Sequence, residues 1–155
     1  MGIIMEGKFL NKKEIKPILH QLEKQFGFTE ELPYVFFKNN KHKVLIINKE
    51  LSQIDMIKLR INSLGLYFGE IMDSREIRLS IEGSQIVGQT ATKNVVAVDE
   101  NTAKQWMYGQ DIEGQYDATG FVILKYGNYY IGCGRCKDGK ISNHVPKNRR
   151  IGTLK

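Results

Sequence analysis

Apolar positions recur at helical spacing between Lys12 and Phe26, at Ile15, Ile18, Leu19, Leu22 and Phe26, with Lys, Glu and Gln between them. This period predicts an amphipathic helix. Asn11, with Glu14 three residues on, fits a capping box, and Gly27 fits a helix terminator. Pro17 lies inside the pattern, so the regular helix is expected to begin a little later than Asn11 implies. Two β-rich runs follow, Tyr34-Val-Phe-Phe-Lys and Lys43-Val-Leu-Ile-Ile, joined as a hairpin by Asn39-Asn40-Lys41-His42. A second helix is predicted from a cap at Asn48 or Ser52, through Ile54, Ile57, Leu59, Ile61 and Leu64, to Gly65. Leu66 to Met72 and Glu76 to Ile81 read as another strand pair turning at Asp73-Ser74-Arg75, and Glu82 to Val87 as a short helix.

Gly88 to Asn94 is polar and lacks an apolar period, which makes it the candidate linker. Beyond it, Val95-Val-Ala-Val is a strand, and Asp99-Glu100-Asn101-Thr102 opens a short helix through Trp106 to Tyr108, ended by Gly109. Strands Phe121-Val-Ile-Leu and Tyr129-Tyr-Ile-Gly-Cys-Gly follow, with Gly127-Asn128 expected as a type I′ turn. Lys137-Asp138-Gly139-Lys140 marks a further hairpin. The fold class is α+β: an N-terminal α/β unit over residues 1–91, then a small, glycine-rich, mostly β barrel over residues 92–155.

Charge changes the picture at one end only. The chain carries +6, and residues 135–155 alone hold seven Lys or Arg against one acid, Asp138. A concentrated basic segment on a near-neutral body points to a polyanion, most often nucleic acid, although a solvated basic end is the plain alternative. A hydrophobic share of 41% is that of a folded protein. No apolar run approaches the ~20 residues of a membrane span. Met1-Gly-Ile-Ile-Met-Glu-Gly-Lys does not resemble a secretory signal, and two cysteines make no disulfide framework, so a cytoplasmic protein is expected.

Candidate chemistry is sparse. Cys133-Gly-Arg-Cys136 with His144 supplies three zinc ligands at most, and turn residues follow where a thioredoxin-type site needs a helix. Strand packing is the leading reading of the pair, with metal or redox chemistry as the alternative. Gly132 and Gly134 sit in no phosphate-binding loop; they let a backbone pass close by, in a small barrel or against RNA. Asn143, His144, Lys147, Arg149 and Arg150 form the one cluster with a coherent task, joined by Lys137, Lys140 and Lys155. Arg and Lys grip phosphates, while Asn and His reach base edges or a 2′-hydroxyl. Tyr126, Tyr129, Tyr130 and Trp106 are available for stacking.

The second half resembles the PUA domain, an RNA-binding fold, through Val95-Val-Ala-Val, Ala103-Lys-Gln-Trp-Met-Tyr-Gly-Gln-Asp-Ile, Gly120-Phe-Val-Ile-Leu and Tyr130-Ile-Gly-Cys-Gly-Arg. Its tail, Lys140-Ile-Ser-Asn-His-Val-Pro-Lys-Asn-Arg-Arg, is similar to the PUA-like end of RsmF-type RNA cytosine methyltransferases. Lys43-Val-Leu-Ile-Ile-Asn-Lys, Leu64-Gly-Leu-Tyr-Phe-Gly-Glu and Arg78-Leu-Ser-Ile resemble the domain preceding the PUA in the Nip-seven ribosome-biogenesis family. These resemblances imply a non-enzymatic RNA-binding accessory factor in rRNA or tRNA maturation, needing no cofactor. The alternative is a targeting or scaffold subunit whose N-terminal domain docks an RNA methyltransferase or assembly factor. No glycine loop for S-adenosylmethionine and no Pro-Cys nucleophile occur in the sequence.

Overall fold

The computed structural model describes residues 6–50 and 65–151. The expected helix between Ser52 and Leu64, and the candidate residue Lys155, lie outside them. Two five-stranded sheets and three α-helices make up the described fold, an α+β arrangement in which one sheet curls into a half-barrel.

The first sheet is an antiparallel meander of β1 (Gly7–Phe9), β2 (Tyr34–Asn39), β3 (Lys43–Asn48), β4 (Leu66–Ile71) and β5 (Ile77–Leu79), in that order. Helix α1 (Lys12–Phe26) starts directly after Asn11, whose side chain accepts from the Glu14 N–H while Glu14 reaches back to the Asn11 N–H. The helix does not wait for Pro17. The capping box satisfies the first turn, and Pro17 and Lys13, whose carbonyl loses its usual donor, are both exposed to water. Gly27 takes the left-handed conformation expected of a terminator, with φ +63°.

Helix α2 (Ile81–Gly88) is capped by Ser80 and leads into the stretch read from sequence as a linker. That stretch is tied down. The Thr92 and Lys93 N–H groups donate to the Phe26 carbonyl, and the Asn94 amide donates to Gln25, so the orphan carbonyls ending α1 find their partners here.

The second sheet runs β6 (Val95–Ala97), β8 (Gly120–Tyr126), β9 (Tyr129–Lys137), β10 (Lys140–Ser142) and β7 (Ile112–Glu113), with β6 parallel to β8 and the other pairs antiparallel. Helix α3 (Glu100–Met107), capped by Asp99, lies between β6 and β7 in sequence. Strands β1 and β7, only three and two residues long, have no periodic signature and were not anticipated. Tyr126 and Tyr129 pair across a two-residue loop, but only Gly127 has positive φ, so the turn is not type I′. Asp138 and Gly139, at φ 53° and 79°, supply the doubly left-handed turn between β9 and β10.

One core spans both sheets. Ile18, Leu22 and Phe26 of α1 pack with Phe36, Ile46 and Phe68 of the first sheet and with Phe121, Ile123 and Cys133 of the second. The opposite face of β8, Val122 and Leu124, joins Trp106, Ile112, Cys136, Ile141 and Val145 in a second cluster. A strand buried on both faces must be apolar at every position, which explains the unbroken Phe-Val-Ile-Leu run. Gly134 faces a tight site, where an added Cβ would stand 2.5 Å from the Ser142 carbonyl and 2.6 Å from the Trp106 ring. Gly134→Ala is therefore expected to lower stability in urea unfolding by about 1–3 kcal/mol. Gly127→Ala, which meets nothing within 4 Å, should cost about 1–2 kcal/mol from backbone conformation alone.

Candidate functional site

Trp106, fully buried at the end of α3, lies against the glycines of β9. Its ring passes 2.9 Å from where a Cβ on Gly132 would stand, and its indole N–H donates to the Ile131 carbonyl at 3.1 Å. Gly132 admits the indole, Gly134 admits both the indole and the close-passing backbone of Ser142, and Trp106 is no stacking platform. Its backbone carbonyl faces the tail and accepts from the Asn143 amide at 2.8 Å. The same amide donates to the Gln110 carbonyl at 3.0 Å, while the Asn143 side-chain oxygen accepts from the Val145 N–H at 2.8 Å. The Asn143 N–H donates to Asp111 at 2.7 Å. This side chain is spent on shaping the tail, with both amide hydrogens engaged.

Past Asn143, Val145 is buried and Pro146 leads into a 3₁₀ turn, Lys147–Arg149, that is exposed throughout. Arg149 forms a 2.6 Å ion pair with Glu82 in the first turn of α2. Burial works to raise the Glu82 pKa, but the Arg149 hydrogen bond and charge outweigh it and hold the carboxyl below its usual range. Arg150 donates through Nε to the Val145 carbonyl at 3.1 Å and packs on Gly109, where any side chain would strike its guanidinium. Lys140 pairs with Asp111 at 3.5 Å, the carboxylate that also holds Asn143. Lys137, at the end of β9, and Lys147 are exposed and make no ion pair among the described residues. The tail's excess charge is thus partly compensated, with Arg149 and Lys140 committed to acids.

His144 meets a residue from the other sheet: its Nδ1 lies 3.4 Å from Arg78 Nη1. Solvent reaches the ring, yet removal of water by the surrounding protein, followed by the charge of Arg78, lowers its pKa below 6.5. Arg78 belongs to a ladder across three strands, in which Lys43 of β3 is opposite Glu70 of β4, and Glu70 is opposite Arg78 of β5 at 3.2 Å. Lys43 also stands 5.5 Å over the ring of Tyr67. Lys43, Tyr67, Arg78, His144 and Arg149 border a cleft of about 150 Å³ between the first sheet and the tail. Sequence reading missed its three first-sheet residues because the register, not the linear spacing, brings them together. The one strongly exposed aromatic among the described residues is Tyr129, at 70%, on the tip of the β8–β9 hairpin.

Cys133 and Cys136 are three positions apart on one strand and so point to opposite faces, Cys133 into the shared core and Cys136 into the second cluster. Burial pushes the Cys133 thiol up to about 12 and also raises Cys136. The geometry is that of packing.

Residues 93–151 match the family model described as the methyltransferase RsmF PUA domain, and residues 8–81 match the NIP7/UPF0113 pre-PUA domain. The chain is a PUA-domain protein. Its pre-PUA unit is of the NIP7 type and its PUA unit of the RsmF type. Ribosomal RNA small subunit methyltransferase F of Aeromonas salmonicida (strain A449) is 29% identical over 146 residues, which cover 91% of this chain and 30% of that protein. The protein of the same name from Vibrio cholerae (strain M66-2) is 29% identical over 150 residues, with the same two shares. That from Vibrio vulnificus (strain YJ016) is 34% identical over 55 residues, 36% of this chain and 12% of that protein. This chain spans about 30% of the length of the long-matching relatives. The match over 91% of the chain runs through both the pre-PUA and PUA units, so the two resemblances read from sequence belong to one arrangement. No helix among the described residues is long and apolar enough to cross a membrane.

Two outcomes follow from this geometry. Neutral His144 is favoured in the folded state, surrounded by Arg78 and Arg135 as well as Asp111 and Glu70. Because the folded pKa lies below the unfolded 6.5, stability present above that value is lost as pH falls through it toward the lower folded value. His144→Gln should flatten the melting temperature between pH 7 and 5. Separately, both thiols should label slowly with a disulfide reagent in the native protein and rapidly in denaturant; fast native labelling at Cys133 would contradict its burial.

Proposed function

We infer that this PUA-domain protein holds ribosomal RNA during maturation or modification, and that its described residues supply binding rather than catalysis. The observation that carries this reading is the ordered basic tail. Asn143 fixes the chain between the Trp106 and Gln110 carbonyls, so that Lys147 and Arg150 stand on a defined exposed turn instead of on a loose end. Phosphate contacts from such residues set affinity and orientation without reading sequence. Relatives that share both units are named for methylation of small-subunit ribosomal RNA, which favours rRNA over tRNA.

Residues 1–91 and 92–155 act as pre-PUA and PUA units in this reading, with Lys137, Lys140, His144, Lys147, Arg149, Arg150 and Lys155 as its RNA-facing set. Asn143 belongs to that set as a positioning residue, because its amide is engaged internally. The alternative role, docking a methyltransferase or assembly factor through the pre-PUA unit, draws support from the same names. In both roles the RNA grip is the shared element.

Titration of a labelled small-subunit rRNA fragment over a salt series tests the grip. Lys137→Gln/Lys147→Gln should weaken binding to every RNA and shallow the log–log salt slope by about two. Arg149→Gln should do less for the slope and more for stability, since its partner Glu82 is left behind. A flat salt dependence in the unaltered protein would end this reading.

A further inference from the structure

The tail is not the only cationic surface. Lys43, Arg78, His144 and Arg149 converge on the cleft between the first sheet and the tail, and among its described lining residues Glu82 is the one acid. Glu82 is already held by Arg149, and Glu70, beside the cleft, by Arg78. Among the described residues Lys43 has no such acid within ion-pair distance; its ammonium rests over Tyr67, an exchangeable contact on a flexible stem. The Tyr67 ring is half-buried and forms part of the cleft wall, presenting an apolar surface among these charges. An aromatic wall with cations at the rim is the arrangement that holds a splayed nucleotide, ring on ring and phosphate on base.

Size narrows the occupant. A cavity of about 150 Å³ admits one benzene-sized ring, and the cleft has about that volume. It therefore suits a single six-membered ring better than the fused rings of a purine. We propose that this cleft receives one unpaired pyrimidine nucleotide of the RNA, its base along Tyr67 and its phosphate on Lys43 and Arg78. The proposal rests on the RNA reading above and extends it, because it gives the pre-PUA sheet a direct part in binding. As the base enters, Lys43 swings off the tyrosine ring toward the phosphate. Arg149, tied to α2, keeps the opposite wall in place.

The test uses the full chain with oligouridylate, oligoadenylate and a fully paired RNA duplex of equal length, followed by fluorescence anisotropy. The unaltered protein should bind oligouridylate more tightly than oligoadenylate. Tyr67→Leu should weaken oligouridylate about tenfold, in line with loss of one stacked base, and leave the duplex unchanged; Tyr67→Phe should restore it. Lys43→Gln should weaken oligouridylate as well. In a parallel arm needing no variant, oligouridylate carrying 4-thiouridine is photocrosslinked to the unaltered protein, and adducts should map to the peptides holding Tyr67 and Arg78. Unchanged oligouridylate affinity in Tyr67→Leu, or adducts confined to the tail, would overturn the cleft proposal while leaving the tail's grip intact. Displacement by free uridine monophosphate as effective as by the strand would also overturn it, making the cleft a mononucleotide site. If the unaltered protein binds no RNA, both readings fall together.

Discussion

The seat of Trp106 on β9 is the contact from which the ordered basic face is built. A full-sized side chain at Gly132 or Gly134 would collide with the indole, so two missing Cβ atoms let α3 lie down on the strand. With the helix end fixed, the Trp106 carbonyl points outward and takes the Asn143 amide, and Asn143 in turn receives the Val145 N–H. Buried Val145 anchors the next step, Pro146 starts a short turn, and Arg149 reaches Glu82. Order thus passes from a close approach in the core to a basic surface segment through a chain of individually ordinary bonds. The net worth of each is about 1 kcal/mol, yet the later ones have no geometry without the earlier.

The second constraint is that the two sheets are not separately closed. Phe121 and Ile123 put one face of β8 into the core built on α1, while Val122 and Leu124 face Trp106. The segment between α2 and β6 satisfies the end of α1 instead of spanning open solvent. A surface that draws Lys43 and Arg78 from one sheet and His144 and Arg149 from beyond the other consequently stands on a continuous apolar interior. Preorganisation of this kind lowers the ordering cost of binding, because the cationic groups from the two parts of the chain need not be brought together by the ligand.

Local rules were legible where local physics decides. The Asn11–Glu14 box, the Gly27 terminator and the strand runs at Tyr34 and Lys43 are short-range signals and appear at the expected residues. The same rules misjudged Pro17, since exposure of the freed carbonyl's turn makes the proline tolerable, and Gly127-Asn128, since Gly alone takes the left-handed position. The tail's charge was visible in the sequence, and its family as a phrase of residues. Its internal wiring was not. Asn143 reads as a polar surface residue until the Trp106 and Gln110 carbonyls are seen facing it. The Lys43–Glu70–Arg78 ladder is equally silent, because residues up to 35 positions apart meet only through strand register.

Compensated charge alters what the basic segment can contribute. An arginine already bonded to a carboxylate gives less to counterion release than a free lysine, because part of its field is cancelled before any phosphate arrives. Arg149 and Arg78 are of this first kind, with Glu82 and Glu70 beside them, and among the described residues Lys137 and Lys147 are of the second. The paired arginines are held in fixed directions, and a fixed guanidinium offers a planar fork that discriminates position. The free lysines offer strength that falls with salt. On the proposed RNA-binding reading, affinity and placement are therefore carried by different residues, and the acids that weaken the tail as an electrostatic magnet hold the arginines that border the cleft.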